Sequence, residues 1–105
     1  MGILIEIRRY LQRDNIFYYK VTEDFETGKS FYISVDMNKK KLIFYRSAEC
    51  SDPVKEIDLE NLDNNKEDFG DLNKKLNTTR VGKVFVKAYK AFKKNEFPEC
   101  LDYAA

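Results

Sequence analysis

Four lysines in the C-terminal third of the chain recur at helical spacing, a pattern that could bring cations onto phosphate groups. In "RVGKVFVKAYKAFKKN" (80–95) they are Lys83, Lys87, Lys90 and Lys94, and no acidic residue interrupts them. At about 100° per residue they occupy one narrow arc of a helix. A nucleic-acid-binding domain using this lysine face is therefore one hypothesis. The arc carries no aromatic side chain for base stacking, however, and lysines are also what the solvent side of an amphipathic helix requires.

Acidic residues concentrate just before this helix. Residues 49–71 hold nine acids against two lysines, whereas residues 74–94 hold eight bases and no acid. Because a negative surface speeds encounter with a cationic protein, this layout predicts a basic protein partner. The predicted partner-binding residues are Glu56, Asp58, Glu60, Asp63, Glu67, Asp68 and Asp71, with Tyr45 as an anchor if its side of the strand faces solvent. The competing interpretation is two solvated faces whose charges partly neutralise each other across the fold.

Three short motifs resemble known sites but lack an essential residue or the required context. "TGKS" (27–30) has Glu23 where a phosphate loop needs its first glycine, so it is interpreted as a hairpin turn. "DMNKKK" (36–41) has Lys41 where a calcium loop needs glycine. "NTT" (77–79) fits a glycosylation pattern, but without a secretory signal it is interpreted as a helix cap.

The composition excludes the common catalytic constellations. The chain has no histidine, which rules out Ser–His–Asp and Cys–His sites in their usual form. Its two cysteines, Cys50 and Cys100, lie fifty residues apart and favour free thiols in a reducing compartment over a disulfide or a zinc site. We therefore expect a protein that is not an enzyme and that uses no metal, cofactor or small-molecule substrate. A small enzyme that uses a pair of carboxylates for acid–base chemistry is the third alternative, but the scattered acidic residues single out no such pair.

Hydrophobic periodicity predicts an α+β fold. Alternating apolar residues predict strands over 3–11, 15–25, 30–37, 41–46 and 54–60, although Tyr10 and Leu11 leave a helical interpretation of the first segment open. Residues 61–77 are expected to be mostly loop, with Phe69, Leu72 and Leu76 facing inward from helical turns. Over 79–95 the apolar arc predicts an amphipathic helix that buries Phe85 and Phe92. The expected architecture is an antiparallel meander of four to five strands, packed by this C-terminal helix.

Length and targeting signals set the remaining expectations. The 105 residues predict a single domain over 1–105, and 15 aromatic side chains argue against disorder. The net charge of +1 selects neither nucleic acid nor acidic membranes as a partner. No apolar run approaches membrane-spanning length, and the N-terminus carries no signal-peptide pattern, so a cytoplasmic protein without membrane contact is expected.

Three segments together resemble the small bacterial immunity proteins that accompany polymorphic or contact-dependent growth-inhibition toxins. They are the paired strands "FYISVDMNKKKLIFYR" (31–46), the acidic strand "KEIDLENLD" (55–63) and the helix with its tail "KAFKKNEFPECLDYAA" (90–105). The resemblance implies a cytoplasmic protein that binds one cognate toxin domain, often a nuclease, and blocks its active site. It implies no catalytic residues. An acidic surface would suit a nuclease whose own surface is basic.

Overall fold

Six strands and two helices form the chain in this computed structural model, which describes residues 5–24, 29–49, 51–61 and 69–103. In chain order the elements are β1 (Glu6–Arg13), β2 (Ile16–Asp24), β3 (Lys29–Asp36), β4 (Lys41–Tyr45), β5 (Pro53–Asp58), α1 (Phe69–Leu76), α2 (Val81–Lys94) and β6 (Cys100–Tyr103). The fold is therefore α+β with an antiparallel sheet, as the periodicity predicted.

The strands form one sheet in the order β5-β4-β3-β2-β1-β6, with every neighbouring pair antiparallel. Strands β1 to β5 are a meander, and the chain returns after both helices to add β6 beside β1. The prediction of four to five strands is therefore wrong. The missed strand has only four residues, too few for a clear alternation. It pairs with the edge of β1 that β2 does not occupy, where backbone amides and carbonyls need hydrogen-bond partners. Just before β6, the Arg9 amide donates a hydrogen bond to the Glu99 carbonyl at 2.6 Å.

Local turn chemistry closes the hairpins. Asp14 and Asn15 both have positive φ, at 49° and 64°, which suits a two-residue turn between right-twisted strands. The Asp36 carboxylate accepts hydrogen bonds from the amides of Asn38 and Lys39, at 2.9 and 3.0 Å, so it is engaged by its own turn. Strands β2 and β3 pair as far as Asp24 and Lys29, while Thr27 and Gly28 of the predicted "TGKS" turn lie outside the described residues.

Alternate strand residues build the hydrophobic core. Because successive side chains point to opposite faces of a sheet, each inner strand sends every second residue to the same side. The fully buried members include Ile7, Val21, Ile33, Leu42 and Ile57, one from each of β1 to β5. The same core cluster contains Leu72 and Leu76 of α1 and Val81, Val84, Ala88 and Ala91 of α2. We call the side of the sheet that carries these buried strand residues the core face, and the opposite side the outer face.

Helix α2 buries the predicted apolar arc only in part. The apolar arc predicts that Phe85 and Phe92 are buried, but both are half-buried at the margin of the core. The centre of the buried arc is occupied by Val84, Ala88 and Ala91, whose small side chains let a helix backbone approach its neighbours closely. The aromatic residues lie on the flank, where Phe85 contacts Phe69 of α1 with ring centroids 5.2 Å apart.

The amides at the start of α2 are satisfied from outside the helix. The N-cap residue is Arg80, which makes no capping bond with its own side chain. The Thr78 hydroxyl accepts a hydrogen bond from the Arg80 amide, and the Asn73 side chain accepts one from the Val81 amide, each at 3.1 Å. Thr78 also donates to the Glu23 carboxylate, which ties this corner to β2. Neither helix among the described residues is long and apolar enough to cross a membrane.

Candidate functional site

The register of the sheet arranges the outer face in rows that run across the strands. One row contains Arg13, Ile16, Asp36, Lys41 and Asp58 of β1 to β5, in that order. The next contains Leu11, Tyr18, Ser34, Ile43 and Glu56. A third contains Arg8, Lys20, Tyr32 and Tyr45 of β1 to β4. Both helices contribute their buried residues to the core cluster.

Three tyrosines from adjacent strands meet on the outer face, and we refer to Tyr10, Tyr18 and Tyr32 as the tyrosine cluster. The Tyr10 ring lies 6.4 Å from that of Tyr18 and 5.7 Å from that of Tyr32, the second pair in an edge-to-face arrangement. Tyr18 and Tyr32 are half-buried, whereas Tyr10 is 41% exposed and its neighbour Leu11 is 38% exposed. The cluster is therefore an aromatic surface in which Tyr10 is the ring most accessible to solvent.

A β-bulge brings Tyr10 to this face. The register of β1 against β2 shifts between Arg9 and Leu11. At this bulge the side chains of Tyr10 and Leu11 point to the same face of the sheet, whereas consecutive strand residues normally alternate between the two faces. Arg9 points toward the core side, where its guanidinium donates to the Phe97 carbonyl. Tyr10 and Leu11 then both reach the outer side. Among the described residues, the large hydrophobic side chains classed as exposed are these two and Val86 of α2.

Tyr45, the predicted anchor, lies on the outer face but is only 6% exposed. Its hydroxyl and that of Ser34 share a buried hydrogen bond of 3.2 Å. Such a bond satisfies two polar groups below the surface and leaves little of the ring for a partner to cover. Tyr45 is therefore a buried member of the outer face and does not present its ring to solvent.

The predicted acidic residues that the structure describes are engaged by nearby groups. Glu56 pairs with Lys41 at 3.3 Å, Glu60 with Lys40 at 3.1 Å and Asp71 with Lys75 at 3.2 Å. The Asp58 carboxylate accepts the Glu60 amide at 3.0 Å. Asp63, Glu67 and Asp68 lie outside the described residues. Each of the three ion pairs is solvent-exposed and contributes about 0–1 kcal/mol, so a partner could exchange it at little cost.

The four lysines of α2 lie on its solvent side. Lys83, Lys90 and Lys94 are exposed and Lys87 is half-buried. The tyrosine cluster belongs to the sheet and not to this helix, so the lysine face lacks the stacking platform that single-strand binding uses. Lys93, beside them, places its ammonium 5.7 Å from the centroid of the Tyr89 ring.

A cleft of about 550 Å³ opens between α2, the β3–β4 turn and the end of β5. It is lined by Met37, Lys40, Leu59, Glu60, Asn61, Tyr89, Phe92 and Lys93. The ion pair of Lys40 with Glu60 belongs to this lining. No group of three Cys, Asp or Glu side chains able to hold a metal ion occurs within residues 5–24, 29–49, 51–61 and 69–103. The lining combines the apolar side chains of Met37, Leu59 and Phe92 with the charged side chains of Lys40, Glu60 and Lys93.

Sequence reasoning did not select the tyrosine cluster. The alternation in β3 does place Tyr32, Ser34 and Asp36 opposite the core residues, and this signal could have marked Tyr32. The alternation in β2 likewise marks Tyr18. Tyr10 could not be placed by alternation, because the bulge changes its side.

No family model, curated protein or solved structure matches this chain. Its function must therefore be argued from its own residues.

Proposed function

We propose that this chain is a non-enzymatic protein-binding module, specifically a cytoplasmic bacterial immunity protein that binds and neutralises a cognate toxin domain through the outer face of its sheet. The observation that carries the proposal is the tyrosine cluster, whose Tyr10 is exposed together with Leu11, on the outer face of the sheet. The resemblance of residues 31–46, 55–63 and 90–105 to immunity proteins supplies the class of partner.

Tyrosines suit the energetic centre of a protein interface. They provide a large contact area and lose few side-chain rotamers on binding, and tyrosine is enriched among residues that dominate binding energy. In this cluster the half-buried Tyr18 and Tyr32 are held by their neighbours, which reduces the ordering cost of binding further. Tyr10 and Leu11 offer the most surface for a partner to cover.

The acidic residues of β5 form the rim of the same surface. Glu56 and Asp58 end two of the outer-face rows, and Glu60 follows two residues later. A toxin domain with a basic patch would exchange the exposed ion pair of Glu56 with Lys41 for pairs across the interface. Rim charges of this kind mainly raise the association rate, whereas the tyrosines set the dissociation rate.

We infer that α2 packs its apolar arc on the core face of the sheet, as its amphipathic pattern predicted. In support, Val84, Ala88 and Ala91 belong to the same hydrophobic cluster as the core-face residues. A helix in this position would leave the outer face open to a partner.

The test begins with a toxin domain encoded by a neighbouring gene, co-expressed with the wild-type chain in sensitive cells. Survival only in the presence of this chain is the expected result, and cell death despite good expression would remove the immunity proposal. Binding kinetics then locate the surface. We expect Tyr10→Ala combined with Leu11→Ala to raise the dissociation rate at least about tenfold, a loss of about 1.4 kcal/mol in binding free energy.

A matched control is available on α2. Val86 is 46% exposed, so Val86→Ala removes a similarly exposed apolar side chain away from the outer face. It should leave both rates unchanged. Charge reversal at Glu56 and Asp58 should slow association and weaken its salt dependence. Equal effects of the Val86 and the Tyr10–Leu11 variants would show that the partner binds elsewhere.

Nucleic-acid binding through Lys83, Lys87, Lys90 and Lys94 remains the alternative hypothesis. No aromatic platform adjoins these lysines on their solvent arc, so the geometry adds nothing to the argument from charge alone.

A further inference from the structure

The cleft of about 550 Å³ between α2, the β3–β4 turn and the end of β5 has the size and composition of a small-molecule site. Ligand pockets in proteins measure about 300–1,000 Å³ and combine apolar surface with a few polar groups that orient the ligand. In this cleft Met37, Leu59 and Phe92 supply the apolar surface, and two lysines and one glutamate supply the charge. The positive excess of the lining favours an anionic ligand.

Two hydrogen-bond donors in the lining are available to such an anion. Within residues 5–24, 29–49, 51–61 and 69–103, no carboxylate pairs with the Lys93 ammonium, which lies 5.7 Å from the centroid of the Tyr89 ring. The Tyr89 hydroxyl likewise makes no hydrogen bond to a described residue, although the side chain is half-buried. An ammonium and a phenol are both donors, and hydrogen bonds from them to a charged acceptor are stronger than those between neutral groups.

The aromatic part of the lining favours a ligand with an aromatic ring. Tyr89 is stacked on Phe85 with ring centroids 5.9 Å apart, and its centroid lies 6.3 Å from that of Phe92. These neighbours hold the Tyr89 ring in place, and aromatic rings pack favourably against further rings in offset or edge-on arrangements. The thioether of Met37, in the same lining, also makes favourable contacts with aromatic rings.

Main-chain hydrogen bonds fix the wall opposite α2. The Leu59 amide donates to the Lys40 carbonyl at 2.9 Å, and the Met37 amide donates to the Asn15 carbonyl at 3.0 Å. A preformed wall reduces the ordering cost of binding. The Lys40 ammonium pairs with the Glu60 carboxylate at 3.1 Å, but both side chains are about half exposed. Exchange of this ion pair for a contact between Lys40 and a bound anion therefore costs little.

We propose that this cleft binds a small aromatic molecule that carries an anionic group, either a carboxylate or a phosphate. The anionic group lies at Lys93 and Tyr89, and the ring packs against Phe92 and Met37. The lining shares no residue with the tyrosine cluster, so this binding is independent of the proposed function.

NMR titration of the purified, isotope-labelled chain with naphthoate tests the site. The amide signals of Met37, Lys40, Tyr89 and Lys93 should shift, with a dissociation constant of about 1 mM, as usual ligand efficiencies predict for a molecule of this size. No shifts up to several millimolar, or shifts confined to the tyrosine cluster, would overturn the proposal.

Two further probes define the ligand class. Naphthalenemethanol keeps the ring but lacks the charge, so it should bind at least about fivefold more weakly than naphthoate, the upper end for a solvent-exposed charge pair. Equal binding of the two would overturn the preference for an anion and the proposal with it. Adenosine monophosphate carries a phosphate in place of the carboxylate. Shifts of the same amides at lower concentrations of the nucleotide would assign the ligand to the phosphate class, and the reverse order would assign it to the carboxylate class.

Opposite charge changes at two residues of the lining give the sharpest test. Lys93→Gln should weaken naphthoate binding about fivefold, whereas Glu60→Gln removes the carboxylate that competes for Lys40 and should tighten binding about twofold. Lys90→Gln, on the solvent side of α2, makes the same charge change as Lys93→Gln and should bind like the wild type. All three substituted side chains are exposed, so each variant should keep the fold. Equal weakening by the two lysine substitutions would mean that net charge alone attracts the anion, and this result would overturn the site.

Discussion

The hydroxyl of Tyr10 donates a hydrogen bond to the main-chain carbonyl of Ala48, 3.1 Å away. The first of these residues belongs to β1 and the second to the segment after β4, so the bond crosses the outer face above the intervening strands. It holds the Tyr10 ring against Tyr18 and Tyr32. One side chain thus connects the segment after β4 to the tyrosine cluster.

Two variants of Tyr10 distinguish the contribution of its ring contacts to stability from that of its hydrogen bond. The bond is exposed and exchanges with water, so Tyr10→Phe should lower the free energy of unfolding by less than about 1 kcal/mol. Tyr10→Ala also removes two aromatic contacts, each contributing about 0.5–1.5 kcal/mol, and should cost more. Urea denaturation of both variants measures this order. Equal losses would mean that the bond to Ala48, and not the rings, holds the cluster together.

Two valines on α2 test the orientation of the helix. Val84 is fully buried, and Val84→Ala should cost about 2 kcal/mol, from about 0.8 kcal/mol per buried CH₂ group plus the cavity that remains. Val86 is 46% exposed, and Val86→Ala should change stability by no more than about 0.5 kcal/mol. Thermal or urea unfolding compares the pair. The reverse order would show that the helix is rotated from the orientation described above.

We expect the protein to lose stability at alkaline pH, because the phenol of Tyr19 is buried. Its ring is fully buried, its hydroxyl donates to the Pro98 carbonyl at 2.6 Å, and burial raises the pKa of the phenol from 10.0 to about 12. Because the folded state retains this proton longer than the unfolded state, the contribution of the phenol to stability is complete below pH 10 and is lost as pH rises toward about 12.

The variant Tyr19→Phe isolates this titration from the other alkaline groups. At neutral pH it should be less stable than the wild type by about 1 kcal/mol, because the Pro98 carbonyl loses its donor. Between pH 10 and about 12 that difference should shrink and then reverse, since phenylalanine has no proton to release. Urea denaturation at several pH values measures the difference. A difference independent of pH would contradict a raised pKa for Tyr19.

The lysine face of α2 should not bind nucleic acid at physiological salt. We expect no micromolar complex with duplex or single-stranded oligonucleotides at about 150 mM salt, measured by fluorescence anisotropy. Residual binding at low salt should weaken steeply as salt is added. A micromolar complex that is lost on charge reversal of Lys83, Lys87, Lys90 and Lys94 would favour the nucleic-acid alternative over the proposed function.

The elements that sequence analysis located are those whose periodicity is local and unambiguous. Phe17, Tyr19 and Val21 alternate in β2, and Phe31, Ile33 and Val35 alternate in β3, so each strand and its core face follow from residue spacing alone. The lysines opposite an apolar arc predicted α2 in the same way. The charged segment 54–60 was correctly predicted to contain a strand, and this strand, β5, ends the sheet.

Only the tertiary structure decided how these elements meet. A broad apolar arc does not specify which of its residues reaches the centre of the core, and packing selected Val84 and Ala88 over Phe85. The β1 bulge that turns Tyr10 outward depends on pairing with β2, and β6 depends on the unoccupied side of β1. The pairing of β4 with β5 brings Lys41 to Glu56, and the β3–β4 turn brings Lys40 to Glu60. Periodicity identifies the apolar side of an element, whereas register, rotation and ion pairing depend on neighbours distant in the chain.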